Sequence, residues 1–296
     1  MSSEPDLTVV VPTFDRPAQL HACLAALART HASPAAIEVV VADDGGGLDA
    51  AQAQAAAGDA TPVRVVCAAG GPAAARNAGA AAASAPVIAF VDDDCEPDPG
   101  WAAALLERHR AEPEALIGGR TVNGLPENPY SRTAQAITDA ALAHHNGGPA
   151  GARFFPSNNV AMPADRFLSL GGFDEAVRLP GGEDRDLCER WSERGWPLVA
   201  EPRALVVHSH ALGLGSFWRQ QAAYGAGAHH HRRARSARTG SLRLEPSLTS
   251  GVFATAARGA VAQRDPARLA LLGVWQAANL AGFARAALTR SGAAQA

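Results

Sequence analysis

Three adjacent carboxylates, Asp92, Asp93 and Asp94, follow the apolar run from Pro86 to Val91. Such neighbours repel, so each resists ionising until a cation or a donor compensates it. Hard divalent ions are natural compensators, because they take oxygen ligands from carboxylates and phosphates together. Alternation along a strand would send Asp92 and Asp94 to one side and Asp93 to the other, leaving a D-x-D pair to hold Mg²⁺ or Mn²⁺ with a diphosphate completing the shell. A solvated acidic turn is the alternative, since Asp98, Pro99 and Gly100 follow. His208 and His210 end a later apolar run at a spacing that could direct both to one site; a structural role at a strand end is the competing reading. The run His229-His230-His231 lies among Arg232, Arg233, Arg235 and Arg238, which reads as a solvated basic face before it reads as a metal site.

These groups need elements to carry them. Leu7 to Pro12 is a short, Val-rich apolar run that reads as a strand buried on both faces, which implies a parallel sheet. From Pro17 to about Arg29, Leu20, Cys23, Leu24 and Leu27 recur at helical spacing, with Pro17 in the first turn. Ile37 to Ala42 is a second strand, stopped by Asp43-Asp44-Gly45-Gly46-Gly47. The pattern repeats with a helix near 49 to 57, a strand at Val63 to Cys67, a helix from about Pro72 to Ala83 and the strand Pro86 to Val91. Strands alternating with helices make an open α/β sheet whose ligands gather beyond the carboxyl ends of the strands. Three of those ends are polar: Pro12-Thr13-Phe14-Asp15, Asp43-Asp44 and the Asp triplet. Residues 120 to 157 read as a loop-rich insertion around a short helix at 131 to 144. A short strand near Val160, a helix, and the turn from Gly171 to Glu175 come next. Then follow a helix from Glu183 to Arg194, the strand Leu205 to His208 and, from 211, a basic helical part. Leu269 to Ala284 carries no charge but falls short of the roughly 20 apolar residues a bilayer span needs; it reads as a packing helix ahead of one lying at a membrane surface.

The 296 residues, 47% hydrophobic and 19% charged, suit a globular chain and exclude a disordered one. All 26 basic residues are Arg. The net charge of −3 divides unevenly: residues 1–210 carry 15 Arg against 27 acids, and residues 211–296 carry 11 Arg against Glu245 and Asp265. An acidic first part suits cation binding, and a basic second part suits phosphate, anionic lipid or an acidic partner. Cys23, Cys67, Cys95 and Cys188 are scattered without metal or disulfide spacing. The polar start, without a charged segment leading into an apolar core, is expected of a cytoplasmic chain. No G-x-G-x-x-G follows the first strand and no G-x-x-x-x-G-K-[ST] occurs, so neither a dinucleotide fold nor a P-loop is supported.

Six motifs in order, from about Leu7 to His208, resemble the family-2 glycosyltransferases of the nucleotide-sugar-binding GT-A fold. They are Val-Val-Val-Pro-Thr-Phe-Asp-Arg at 9–16, Val-Val-Val-Ala-Asp-Asp-Gly-Gly at 39–46, Ala-Ala-Arg-Asn-Ala-Gly at 74–79, Phe-Val-Asp-Asp-Asp at 90–94, Gly-Gly-Phe-Asp-Glu at 171–175 and Gly-Gly-Glu-Asp-Arg-Asp-Leu-Cys-Glu-Arg-Trp at 181–191. The resemblance implies an α/β fold with a mainly parallel central sheet flanked by helices. Residues 1–210 would form the GT-A domain, with a nucleotide-sugar half of about 1–110 and an acceptor half of about 111–210. Residues 211–296 would be a basic helical extension.

The resemblance also implies roles. Pro12, Thr13 and Asp15 would line the nucleoside pocket, Asp44 would accept from the base, and Arg76 would reach base or phosphates. Asp94 would bind Mn²⁺ or Mg²⁺, with Asp92 and Asp93 holding ribose or metal-bound water and His208 a further metal ligand. Asp184 falls where the family places its catalytic base, which takes the acceptor's proton in one in-line displacement with inversion; the helix N-terminus is a compatible structural reason for acids at 183, 184 and 186. Glu183, Trp191 and Asn159 are acceptor-side candidates, against core packing for Trp191 and turn-making for Asn158 and Asn159.

The expected reaction moves a sugar from a nucleotide-diphosphate donor, UDP by family habit, to a hydroxyl of a glycan, a lipid-linked sugar or a small molecule. Peripheral contact of the basic part with the inner membrane face is expected, and nucleic acid is not. A sugar-nucleotide-forming nucleotidyltransferase is disfavoured because Val11-Pro12-Thr13-Phe14 stands where a Gly-rich loop with a basic residue would be. An inactive sugar-nucleotide-binding scaffold is disfavoured because Asp94 and Asp184 are intact.

Overall fold

The computed structural model describes residues 4–30, 36–149, 151–176, 181–240 and 248–291. The strands are β1 (Leu7–Thr13), β2 (Ile37–Asp43), β3 (Val63–Cys67), β4 (Val87–Val91), β5 (Cys95–Pro97), β6 (Leu116–Asn123), β7 (Asn159–Pro163) and β8 (Leu198–His208). The helices are α1 (Pro17–Ala28), α2 (Ala50–Ala57), α3 (Pro72–Ala81), α4 (Trp101–Ala111), α5 (Pro129–Asn146), α6 (Ala164–Ser169), α7 (Glu183–Glu193), α8 (Leu214–Thr239), α9 (Leu248–Ala262) and α10 (Pro266–Ser291). One sheet runs β3-β2-β1-β4-β7-β6-β8-β5.

Its first four strands are parallel; β1, β2 and β4 are Val- and Ile-rich and almost wholly buried, as strands covered on both faces are, whereas the edge strand β3 exposes Arg64 and Cys67. The sheet is mixed beyond them: β7 runs antiparallel to β4 and β6, β6 and β8 are parallel, and β5 returns antiparallel along β8. One apolar layer packs β1, β2 and β4 against α1 and α4 through Leu24, Leu27, Trp101 and Leu105. The opposite layer joins Val10, Phe90, Val160, Phe167, Phe173, Leu187 and Trp191. Gly79 lets α3 cross β1 closely, since a Cβ there would collide with Val10.

Residues 120–157 are more regular than the reading of a loop-rich insertion. β6 enters this region, and α5 has 18 residues, capped by Asn128, whose Oδ1 accepts from the Tyr130 and Ser131 amides. α4 also had no counterpart among the expected elements.

The part from 211 packs on the rest through α5. Phe217, Val252, Ala256, Leu272 and Trp275 share a third apolar cluster with Ala140 and Leu212. The basic run of α8 is not the solvated face expected of it. His230 pairs with Asp174 at 2.9 Å, His231 with Glu189 at 2.9 Å, Arg235 with Glu189 at 2.9 Å, and Arg238 with Asp186 at 2.5 Å and Glu189 at 3.2 Å. The acids of α7 neutralise the bases of α8, so much of the charge division closes internally. Glu245 lies outside the described residues.

Candidate functional site

The polar strand ends converge because β1 and β4 are neighbours in the sheet and both stop at the same edge. Thr13 Oγ1 donates to Asp93 Oδ2 at 2.8 Å, and Arg16 Nη1 spans Asp93 Oδ1 at 3.2 Å and Asp94 Oδ2 at 3.3 Å. Burial pushes the Asp93 carboxyl up to about 6, against the opposing pull of Thr13 and Arg16. Pro12 is buried in the strand. Phe14 is 62% exposed, and Asp15 is exposed at the left-handed φ of 52°. Asp43 is buried and ties Gly45 and Leu48, each at 2.9 Å. Asp44 Oδ1 accepts from the Gly70 and Gly71 amides at 2.9 and 3.2 Å, which shapes the turn before α3.

The triplet does not follow strand alternation. β4 ends at Val91 and the chain turns at once into β5, so Asp93 and Asp94 share Arg16 while Asp92 turns away to Arg76. Asp94 is drawn into a cluster with the end of β8, and Asp92 is paired with Arg76 beside it. The register that sets Cys95 opposite His208 brings the two strands' ends together. His208 Nε2 lies 3.1 Å from Asp94 Oδ1, and His210 Nδ1 lies 3.2 Å from Asp94 Oδ2. Burial would raise the Asp94 carboxyl, but the two imidazoles outweigh it and hold it well below the usual carboxylate range. Ligand atoms of Asp94, Cys95 and His208 all lie within 4.8 Å of one another. The Cys95 thiol is fully buried, and desolvation keeps it protonated.

Arg76 is the hub on the other side. Its guanidinium, 6% exposed, reaches Asp92 Oδ1 at 2.6 Å and Glu183 Oε1 at 3.7 Å, and lies over the Phe173 ring at 5.7 Å. Arg76 Nε and Nη1 are buried without a hydrogen bond among the described residues. Glu183 and Asp184 open α7 after Gly181 and Gly182, whose φ values of 129° and 95° exclude other residues without strain. Glu183 Oε2 accepts from the Gly181 amide at 2.6 Å. Asp184 accepts from the Ser157 hydroxyl and amide, and its Oδ1 is buried with no hydrogen bond among the described residues. Desolvation raises both carboxyls; Asp184 adds to the rise of Glu183, and Arg76 opposes both. Arg76 thus links the carboxylates of the β4 end to those of the α7 turn.

Two acceptor-side candidates lie elsewhere. Trp191 is fully buried, donates Nε1–H to the Pro197 carbonyl at 3.1 Å and meets Trp196 edge-on at 4.9 Å; it packs the core. Asn159 is 1% exposed, accepts from Trp101 Nε1 at 2.8 Å and donates both amide hydrogens, to the Arg120 and Ala204 carbonyls, so its side chain ties β7 to its neighbours. Arg16, Ser157 and Tyr224 were missed as site residues. Arg16 ends the motif at residues 9–16, whereas nothing in the sequence marks Ser157. Tyr224 lay in the aromatic stretch of the basic part. α8 lays Tyr224 against Gly181, 2.9 Å from where a Cβ there would sit, and leaves it 40% exposed. Burial of its hydroxyl, then the charges of Asp184, Glu183, Asp92 and Asp94, push the phenol up.

Residues 8–164 match the sequence profile of Glycosyl transferase family 2. Pre-mycofactocin glycosyltransferase of Mycobacterium tuberculosis (strain ATCC 25618 / H37Rv) is 32% identical over 145 residues, covering 48% of this chain and 30% of that protein. Validoxylamine A glucosyltransferase of Streptomyces hygroscopicus subsp. limoneus is 30% identical over 227 residues, covering 67% of this chain and 50% of that protein. The chain therefore spans between 30% and 50% of the length of these curated relatives. Among solved structures, the mannosyltransferase PcManGT from Pyrobaculum calidifontis in complex with GDP-Man and Mn²⁺ superposes with a TM-score of 0.66 at 18% identity, covering 97% of this chain and 88% of that one. At that identity the likeness is one of fold.

Proposed function

The chain belongs to glycosyl transferase family 2, and from that premise we propose that it is an inverting glycosyltransferase moving a sugar from a nucleotide-diphosphate donor to an acceptor hydroxyl. The observation that carries this reading is the single guanidinium of Arg76 set between Asp92 at the β4 end and the Glu183–Asp184 turn of α7. It joins a donor side to a base side in one chamber. Pro12, Thr13, Asp15 and Asp44 line the donor side at the strand ends, with Phe14 exposed beside them as a face for a base.

Asp184 is the base. Its buried Oδ1 has no hydrogen-bond partner among the described residues, as a group reserved for a substrate proton does, and Ser157 fixes the carboxylate's orientation. Burial makes it more basic than a surface Asp, and Arg76 opposes part of that rise. As the acceptor oxygen bonds to the anomeric carbon, Asp184 takes its proton and the bond from that carbon to the diphosphate oxygen breaks, which inverts configuration. Glu183, one residue away and tied to Gly181, holds the turn.

The donor set about Asp94 fits a divalent cation. A carboxylate with an imidazole nitrogen near each oxygen is a mixed N/O set that suits Mn²⁺ better than the oxygen-preferring Mg²⁺. Asp94 and His208 would hold the ion, which when bound supplies Lewis-acid neutralisation of the departing diphosphate. UDP is the proposed donor nucleotide; the structural neighbour's GDP-Man makes GDP the competitor to test. The acceptor is a hydroxyl of a glycan, a lipid-linked sugar or a small molecule.

Calorimetric titration with UDP, GDP and dTDP, with and without Mn²⁺, tests the donor site, and Asp94→Ala should lose the metal-dependent part. Asp184→Asn should bind the same nucleotide with unchanged affinity and lose transfer by at least about 10³-fold, the scale of a general base with its orienting shell. Unchanged turnover in that variant removes Asp184 as the base. Absence of nucleotide binding under every condition removes the transferase reading.

A further inference from the structure

α10 is divided lengthwise. Leu272, Trp275 and Ala278 on its inner side are buried, and Gly282 meets α8 so closely that a Cβ there would collide with the Ala222 carbonyl. Its outer side carries Leu269, Gly273, Ala277, Leu280, Ala284 and Leu288, at steps of four, four, three, four and four. At 100° per residue these fall within an arc of roughly 100°, and at 1.5 Å per residue they extend over roughly 28 Å. All six are exposed, the leucines by 38%, 65% and 73%. No charge occurs from Leu269 to Ala284. A monomeric soluble surface seldom leaves so continuous an apolar line uncovered.

The charges around the line are of one sign. Arg285 is exposed at its edge, Arg264 is exposed at the turn from α9, and Arg258 is exposed on α9, where Val261 is 63% exposed. From residue 248 onward the sequence has one acid, Asp265, and that carboxylate is held internally by Arg132 at 3.3 Å and Arg268 at 3.5 Å. A second copy docked by this face would set arginine near arginine with no carboxylate between them. No described helix is long and apolar enough to cross a membrane. An apolar line flanked by Arg without acids matches a helix lying in the plane of an anionic bilayer, leucines among the acyl chains and guanidinium groups at the headgroups.

We propose that the outer face of α10 is a membrane-docking surface, seating the protein on an anionic bilayer through Leu269, Leu280 and Leu288 with Arg285 and Arg264 at the headgroups.

The test is co-sedimentation of the full chain with vesicles of phosphatidylcholine alone and of phosphatidylcholine with 30% phosphatidylglycerol. Binding should favour the anionic vesicles by about tenfold or more and weaken in 0.5 M salt. The double variant Leu280→Gln/Leu288→Gln should bind at least about tenfold more weakly with an unchanged thermal midpoint, because both side chains already face solvent. Leu168→Gln, changing an exposed leucine on α6, should bind as wild type. The proposal is overturned if the chain binds neither vesicle, if the double variant binds as wild type, or if sedimentation velocity shows a dimer that the double variant dissociates. Donor binding is read separately by calorimetry, so its failure touches only the enzymatic reading.

Discussion

Replacing Arg76 with Met removes the charge at the centre of the site while leaving much of its volume filled. The cation is 6% exposed, and its partners are Asp92 at 2.6 Å and Glu183 at 3.7 Å, Glu183 itself being 4% exposed. At an effective dielectric of ~20, a pair at 3.7 Å is worth about 4 kcal/mol, and removing one member of a buried pair typically costs about 3–5 kcal/mol. A loss near the middle of that range lowers the thermal midpoint by roughly 8 °C in a chain of this size. The loss should depend on pH. Burial holds the Glu183 and Asp184 carboxyls above their unfolded values, so their protonated forms favour the folded state and that contribution fades as pH rises through the folded values. Arg76 opposes this rise. Without it the folded values climb further, and the gap between variant and wild type should be small at pH 5 and widen toward pH 8. Thermal unfolding across that range reads the gap directly. In nucleoside-diphosphate release, the rising limb of the pH–rate profile should move to higher pH, and Arg76→Lys should move it part of the way back. A midpoint loss equal at pH 5 and pH 8 would show that Arg76 matters for packing alone, and the electrostatic link between the two sides of the chamber would have to be abandoned.

Gly227→Ala should cut transfer by more than about tenfold while costing about 1–3 kcal/mol of stability, because its Cβ would collide with the Gly181 carbonyl and push α8 off the turn that carries Asp184. Turnover under saturating donor, compared with nucleotide affinity, checks this; parallel loss of both would point to general unfolding. Trp191→Phe should lower stability by about 1–3 kcal/mol through lost volume and the lost bond to Pro197. It should leave the acceptor KM unchanged, and a raised acceptor KM without a stability change would return Trp191 to the acceptor site.

The parallel half of the sheet was legible because β1, β2 and β4 are almost wholly buried and rich in Val and Ile, and the edge strand β3 keeps three valines around its exposed Arg64. β6 was not legible. Its Gly118 and Gly119 interrupt the apolar pattern, but the structure needs them small: a Cβ on Gly118 would strike the Phe155 ring and one on Gly119 the Asn159 amide. The types of the site residues were readable and their partners were not. Asp94 meets His208 only through the β5–β8 register, and Asp92 leaves the triplet's expected pairing because the strand stops one residue before it. The Arg-rich run of α8 looked like free charge because its compensating acids lie 42 to 56 residues earlier, on α7 and at Asp174. Trp191 and Asn159 show the opposite limit: a motif can bring a residue near a site while packing uses up all its contacts.

The family match ends at residue 164, yet the Glu183–Asp184 turn lies beyond it and is held by still later residues. Close backbone contacts join the α7–α8 ion pairs in holding it. A Cβ on Gly182 would sit 2.6 Å from the Gly227 carbonyl, and Cβ atoms on Gly225 and Gly282 would collide with the Asn279 and Ala222 carbonyls. These glycines form a seam from α10 through α8 to the base turn. Side-chain packing can absorb a misfit by changing rotamer, whereas a backbone seam can only separate. The position of Asp184 relative to Arg76 and Asp92 is therefore set in part by how closely α8 lies on the turn and how closely α10 lies on α8. The helical part after residue 211 packs on the Glu183–Asp184 turn, and the apolar outer face of α10 is the far side of the same stack.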